Sequence, residues 1–148
     1  METIKIRYIR DIEPIEKISI GDWIDLRCAE DIYIHQGDFA LIPLGVAMKL
    51  PKGYEALVAP RSSTFKKLGI LQTNSVGVID NSYSGSDDEW MMPVYCPHQN
   101  SPFETIHIPK NTRICQFRII PSQPEINFEV VENLDARNRG GFGTSGSV

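Results

Sequence analysis

The stretch GVIDNSYSG, residues 77–85, ends a β-branched run on Asp80 and follows it at once with Tyr83 and a glycine-bounded turn. A carboxylate held at the edge of a sheet has the geometry a general base needs, because a base acts only from hydrogen-bond reach of the proton it takes. The plainer reading is that Asp80 opens a turn, as aspartate often does by bonding its own backbone. A buried carboxylate there would be costly, and the preceding VGVI, residues 76–79, would hold Asp80 rigidly at the sheet edge. The stretch APRSST, residues 59–64, reads either as a proline-initiated turn entering a helix or as an anion site. In the second case first-turn N–H groups, the Ser62 and Ser63 hydroxyls and the Arg61 guanidinium face a phosphate. RNRGGFGTSG, residues 137–146, is either a mobile tail or a glycine backbone that wraps a polyphosphate, with Phe142 free to stack on a base. It is not a P-loop, since no lysine follows the glycines and no strand leads in. Asp22, Asp25, Glu30 and Asp31 read mainly as solvated loop charges, of which one at most need touch a metal. Cys96 and His98 lie close in sequence but lack a partner pair at zinc spacing.

These groups need a frame. Alternating or β-branched runs recur at residues 4–9, 23–29, 38–50, 54–59, 69–74, 77–80, 90–96, 104–108, 113–120 and 126–132. Glycine, proline, asparagine and serine clusters separate most of them. Many short strands at this spacing predict an all-β sandwich or barrel rather than alternating βα units. Only SSTFKKLG, residues 62–69, reads as a helix: a serine or threonine is available as N-cap, two lysines fall in the last turn, and Gly69 suits a left-handed end. After Leu134 the apolar pattern stops, so we expect a core over 1–134 and a flexible C-terminal arm over 135–148.

The 148 residues, 41% hydrophobic, suffice for one domain with a core of its own. A net charge of −4 with no long basic run argues against a surface that grips nucleic acid by its phosphates. Three scattered cysteines with no CxxC do not form a disulfide framework and suit a reducing compartment. The N-terminus is charged from its second residue and no apolar run approaches a bilayer span, so we expect a soluble cytoplasmic protein with no signal peptide and no membrane contact.

Taken in order, DWIDLRCAED (22–31), APRSST, NSVGVIDNSYSG (74–85), RICQFRI (113–119) and RGGFGTSG (139–146) resemble the five motifs of the trimeric dUTPase family. The resemblance implies a jelly-roll β-barrel, a homotrimer with active sites at subunit interfaces, Mg2+, and cleavage of dUTP to dUMP and pyrophosphate. That reaction limits uracil in DNA and supplies dUMP for thymidylate synthesis. Asp80 matches the base that activates water for in-line attack on the α-phosphorus, and Asp25 the residue that holds the metal through bound water. Arg61, Ser62 and Ser63 match the phosphate-binding turn, and Gln116 the glutamine that reaches phosphate or the ordered water. Asn74 and the backbone near Val78 and Ile79 match the uracil-reading pocket, and Tyr83 the ring that packs beneath deoxyribose. In the arm, Phe142 matches the residue that stacks on uracil, while Gly143, Thr144 and Ser145 match donors to the γ-phosphate. Arg137 is favoured as the arm's arginine by counting back from Phe142, and Arg139 by its Arg-Gly pair.

Some residues depart from the family pattern. Ser82 stands where much of the family has aspartate, and GSDDEW replaces a short turn, so Trp90 and its acidic neighbours either line a rim or cap a hairpin. A dCTP deaminase relative would need a glutamate-centred site that this hairpin lacks. A catalytically weak, regulatory interaction module would be expected to lose Asp80 or the last motif, and a capsid-like jelly roll would need none of the five.

Overall fold

The computed structural model describes residues 1–99, 104–144 and 146. Among them are β1 (Lys5–Tyr8), β2 (Ile24–Arg27), β3 (Ile32–His35), β4 (Phe39–Pro43), β5 (Val46–Lys49), β6 (Tyr54–Pro60), α1 (Thr64–Leu68), β7 (Leu71–Gln72), β8 (Gly77–Ile79), β9 (Met91–Tyr95), β10 (Thr105–Ile108) and β11 (Arg113–Pro121). All pairings are antiparallel. They make a four-stranded sheet in the order β2-β11-β6-β8, a three-stranded sheet β4-β9-β7, and two ribbons, β1-β5 and β3-β10. The all-β architecture expected from the short alternating runs is the one found. No helix among the described residues is long and apolar enough to cross a membrane.

Alternation along most strands delivers one side to a common core, whereas β1 is exposed throughout. Leu26, Val58, Ile114 and Phe117 come from the large sheet, Ile42, Met92 and Val94 from the smaller one, and Ile34, Val46 and Ile108 from the ribbons. Trp90, just before β9, is fully buried and stands edge-on to Phe117, with ring centroids 5.2 Å apart. Trp90 is thus a core residue, which decides one of the questions its sequence context left open.

Four local features differ from expectation. β3 was not anticipated, although IYIH buries Ile32 and Ile34 and exposes Tyr33 and His35 with period two. The run 38–50 is broken at Gly45, whose φ of +74° and closeness to Ala29 exclude a side chain, since a Cβ would lie 2.9 Å from that of Ala29. Residues 126–132 form no strand: the last one ends at Pro121, and Phe128 and Val130 are 89% and 97% exposed. Strand-forming residues without a neighbouring strand make no sheet. In α1 the C-terminal Gly69 is left-handed and donates to Phe65 O, but Ser63 at the N-cap makes no side-chain bond. Thr64 takes over instead, buried, accepting from the Arg61 N–H at 2.8 Å and donating to Ile114 O at 2.9 Å.

Candidate active site

Two clusters of the expected residues form, at opposite ends of β6. The first lies where β2, β11 and β6 run side by side. Gln116 stands opposite Asp25 on one flank and Ala59 on the other, and Arg61 follows directly after β6. A register shift between Arg113 and Cys115 inserts one residue into β11, so that Ile114 and Cys115 are both buried and Gln116 returns to the outer face beside Asp25. The Ile114 carbonyl, freed from the β2 ladder by the bulge, is the one that accepts from Thr64.

Charge then organises this end. The Arg61 Nε lies 3.1 Å from Asp25 Oδ1 and the Arg113 Nη1 3.7 Å from Oδ2. Arg61 also donates to Arg113 O at 3.4 Å, and the Gln116 amide to Pro60 O at 3.1 Å. Ser62 is exposed and Ser63 half-buried at the start of α1. Arg61, Ser63, Lys67, Arg27 and Arg113 border an open cleft of ≈ 450 Å³ together with one acid, Glu13, which pairs with Arg27 at 3.2 Å. A cleft with this excess of cations suits a polyanion, because each guanidinium can fork to phosphate oxygens. The remaining acids of the segment are engaged elsewhere, Asp22 with Arg118, Glu30 with Arg10 and Asp31 with His107.

Among the described residues no cluster of three or more His, Cys, Asp or Glu could hold a metal with protein ligands alone. Mg2+ does not demand one, since it keeps several waters and is commonly met by one or two carboxylates together with substrate phosphates. The single half-buried carboxylate of Asp25 beside a phosphate-sized basic cleft fits that mode of binding.

The second cluster surrounds β8. Ile79 pairs with Ala56 and Gly77 with Val58, which brings Asp80 out at the Tyr54 end of β6. Its carboxylate is exposed rather than buried, and its Oδ1 accepts from Ser82 N–H at 2.8 Å and from the Ser82 hydroxyl at 2.7 Å. Those two bonds, the backbone one first, hold the Asp80 carboxyl below the usual aspartate range. The turn is anchored by Asn81, whose amide donates to Pro51 O and Tyr54 O at 2.9 and 2.7 Å. Tyr83 donates its N–H to Asp80 O at 3.0 Å and its hydroxyl to Glu89 O at 2.9 Å, and desolvation, then Asp88 and Glu89, raises the phenol. Asp80, Val78, Ile79, Ser82, Tyr83, Glu89 and Met91 border a cleft of ≈ 410 Å³. Asn74 sits over the strand: a Cβ on Gly77 would come within 3.5 Å of its amide nitrogen.

Among the described arm residues no hydrogen bond or ion pair to either cluster is found. Arg137, Arg139 and Phe142 are exposed, Phe142 with a left-handed backbone at φ 52° between Gly140 and Gly143, which share the positive sign. Thr144 N–H closes a turn onto Gly141 O at 3.1 Å. Ser145 lies outside the described residues.

The chain therefore brings together Asp25, Arg61, Ser62, Ser63 and Gln116, and separately Val78, Ile79, Asp80 and Tyr83, while Asn74 lies beside Gly77 at the Val58 part of β6. From Ala56, beside Ile79, to Arg61 is five residues of extended strand, about 17 Å at 3.3 Å per residue. Sequence reasoning missed Thr64, Asn81, Arg113 and Glu89, which hold these clusters in shape. Thr64, Asn81 and Arg113 are polar residues inside the quoted motifs and Glu89 lies in the GSDDEW segment that follows one, and that placement was the available signal.

The sequence profile of the dUTPase family matches residues 21–147. The SPbeta prophage-derived deoxyuridine 5'-triphosphate nucleotidohydrolase of Bacillus subtilis is 49% identical over 145 residues, covering 97% of this chain and 98% of its own. The deoxyuridine 5'-triphosphate nucleotidohydrolase of Finegoldia magna is 37% identical over 150 residues, covering 97% and 99%. Among solved structures, the G164S mutant of the Staphylococcus bacteriophage 80alpha dUTPase with dUpNHpp superposes with a TM-score of 0.78 over 98% of this chain and 99% of that one, at 23% identity. The all-β frame is thus the jelly roll of those enzymes. On the profile match and the near full-length relatives together, the chain belongs to the dUTPase family and is a dUTP diphosphatase.

Proposed function

We propose that the enzyme works as a Mg2+-dependent homotrimer in which each active site is completed between copies, and that water activated by Asp80 attacks the α-phosphorus of dUTP in line. The observation that carries this reading is the separation of about 17 Å between the Asp80 cluster and the Asp25–Arg61–Gln116 cluster. A general base must lie within about 3 Å of its water, and the groups that meet the phosphates must lie around the same phosphorus. A second copy that lays its Arg61 end against the Asp80 end of the first satisfies both, and cyclic symmetry repeats the contact. The exposed apolar residues Phe128 and Val130, between β11 and the arm, lend support, since such side chains in water are suited to packing on another subunit.

In that site Asn74 and the Val78–Ile79 backbone read the uracil edge, and Tyr83 packs beneath deoxyribose where a 2'-hydroxyl would strike it. Asp80, with Oδ1 held by Ser82, presents Oδ2 to the water and takes its proton. Arg61, Ser62, Ser63 and Gln116 orient the phosphates from the neighbouring copy. Asp25 holds Mg2+ through bound water, and the ion offsets negative charge on the triphosphate oxygens. The arm from residue 135 then folds over the nucleotide, with Phe142 on the base and Gly143, Thr144, Ser145 and one of Arg137 or Arg139 at the γ-phosphate. The products are dUMP and pyrophosphate, which keeps uracil out of DNA and supplies dUMP for thymidylate synthesis in the cytoplasm.

Mixing two inactive variants tests this arrangement. Asp80→Asn and Arg61→Ala should each lower dUTP turnover by about 10²-fold or more. Unfolded together and refolded, they should recover about a quarter of wild-type activity, because one interface in four then joins an intact Asp80 to an intact Arg61. Recovery should require Mg2+. A mixture no more active than its parents would show that both groups serve from one chain.

A further inference from the structure

The segment 84–89 replaces a short turn, and the structure ties it to the start of the chain. Glu89 is the centre of that tie. Its side chain is only 11% exposed, and Arg10 grips it through two parallel bonds, Nε to Oε2 at 2.9 Å and Nη2 to Oε1 at 3.2 Å. The Gly45 N–H donates to the same Oε2 at 3.0 Å, while the Gly45 carbonyl accepts from Ile9 N–H at 2.8 Å. Gly45 can fill this role because no larger residue fits its backbone. On the other side of Glu89, Trp90 donates to Val46 O and accepts from Leu44 N–H, at 2.9 and 3.0 Å. The backbone carbonyl of Glu89 is therefore fixed in place, and that carbonyl is the acceptor for the Tyr83 hydroxyl.

We propose that the Arg10–Glu89 pair is a positioning device for Tyr83 that sets how strongly the enzyme rejects ribonucleotides. The proposal rests on Tyr83 being the wall beneath the sugar. Tyr83 is 40% exposed, so packing alone does not immobilise its ring, and its two hydrogen bonds, N–H to Asp80 O and hydroxyl to Glu89 O, supply what packing lacks. A sugar differing by one hydroxyl is rejected sterically only if the wall does not yield, and displacements of about 1 Å are enough to change such discrimination. A ring cut loose at its hydroxyl end can swing aside for UTP. For dUTP, which needs no such movement, Arg10→Met changes little, whereas the Tyr83 variants also lose contact with dUTP itself.

The test compares kcat/KM for dUTP and UTP, by pyrophosphate release, in Arg10→Met, Glu89→Gln, Tyr83→Phe and Tyr83→Ala, with thermal unfolding recorded for each. Arg10→Met, Glu89→Gln and Tyr83→Phe should each lower the dUTP/UTP ratio by about 5- to 20-fold, chiefly through a lower KM for UTP. Arg10→Met combined with Tyr83→Phe should lower it no further than either alone, because both cut the same link. Arg10→Lys, which keeps the charge but not the fork, should restore part of the ratio. If Tyr83→Ala leaves the ratio unchanged, the ring is not the wall and the underlying reading fails. If Tyr83→Ala lowers the ratio but the other variants leave it at the wild-type value, whatever their melting temperatures, the positioning role alone is overturned. Should Arg10→Met not fold, Glu89→Gln and Arg10→Lys decide the matter, since each weakens the fork without removing both partners.

Discussion

Both donors on the Asp80 carboxylate come from Ser82, whose N–H and hydroxyl reach the same oxygen at 2.8 and 2.7 Å. Because the bonds favour the ionised form, the folded-state pKa is depressed. The contribution to stability is then present above the ordinary aspartate value and lost as pH falls through the depressed one. In the proposed mechanism the same shift keeps Asp80 unprotonated, and able to act as base, further into acid. Ser82→Ala removes the hydroxyl bond and keeps the backbone one, so the Asp80 titration should move part of the way up towards the ordinary value. Carboxyl-carbon NMR of the free enzyme would measure it, and the acid limb of kcat/KM should move in the same direction. A titration that stays in place would assign the depression to the backbone alone. Asp80 was legible because five motifs in order framed it, and its turn-opening reading proved compatible with its place at a strand end. Its hydrogen bonds to Ser82 were not legible, because they depend on the local backbone angles rather than on residue type. The same holds for Glu89, which in sequence is one acid among three and in the structure the only one clamped by Arg10.

At the level of elements, one hydroxyl ties the turn carrying Arg61 to the neighbouring strand, beside the turn's own Thr64 N–H to Arg61 O bond at 3.0 Å. Thr64 Oγ1 bridges the Arg61 N–H to the Ile114 carbonyl, and the carbonyl is available because β11 bulges there. Thr64→Val keeps the shape and leaves both partners unsatisfied in a buried place, at a cost of about 1–3 kcal/mol. Thermal unfolding should show a loss of about 2–4 °C for each kcal/mol in a chain of this length. Turnover should fall more than stability predicts, because Arg61 loses its footing beside Asp25, and the serine variant should recover most of both. Unchanged melting and turnover would mean that another group holds the turn. Strands with an apolar partner on both neighbours were easy to read in sequence. β3 escaped because the acidic run before it looked like loop, and residues 126–132 misled because alternation records what a segment can pack against, not whether a partner is present.

For the whole molecule the decisive contrast is between a closed core and an open arm. Ordering a glycine-rich arm costs about 1–2 kcal/mol per residue, so the closure we propose draws on contacts with the triphosphate and the base. A chain ending at Leu134 should fold and assemble as the full one does, elute at the same volume on size exclusion, and lose at least about tenfold in dUTP turnover. Its affinity for dUMP, which lacks the outer phosphates, should change far less. Turnover equal to that of the full chain would leave the arm without a catalytic role. The strand order also bears on the way the enzyme comes into being. β2, which carries Asp25, sits at the margin of its sheet with β11 as its neighbour, whereas β8, which carries Asp80 to its place, pairs with β6. During synthesis, which proceeds from the N-terminus, the hairpin of the base has all its strands once residue 79 has emerged, but β2 must wait for residues 113–121. In the proposed mechanism the strands that present the water-activating group are thus synthesised before the last strand that the phosphate-binding group needs.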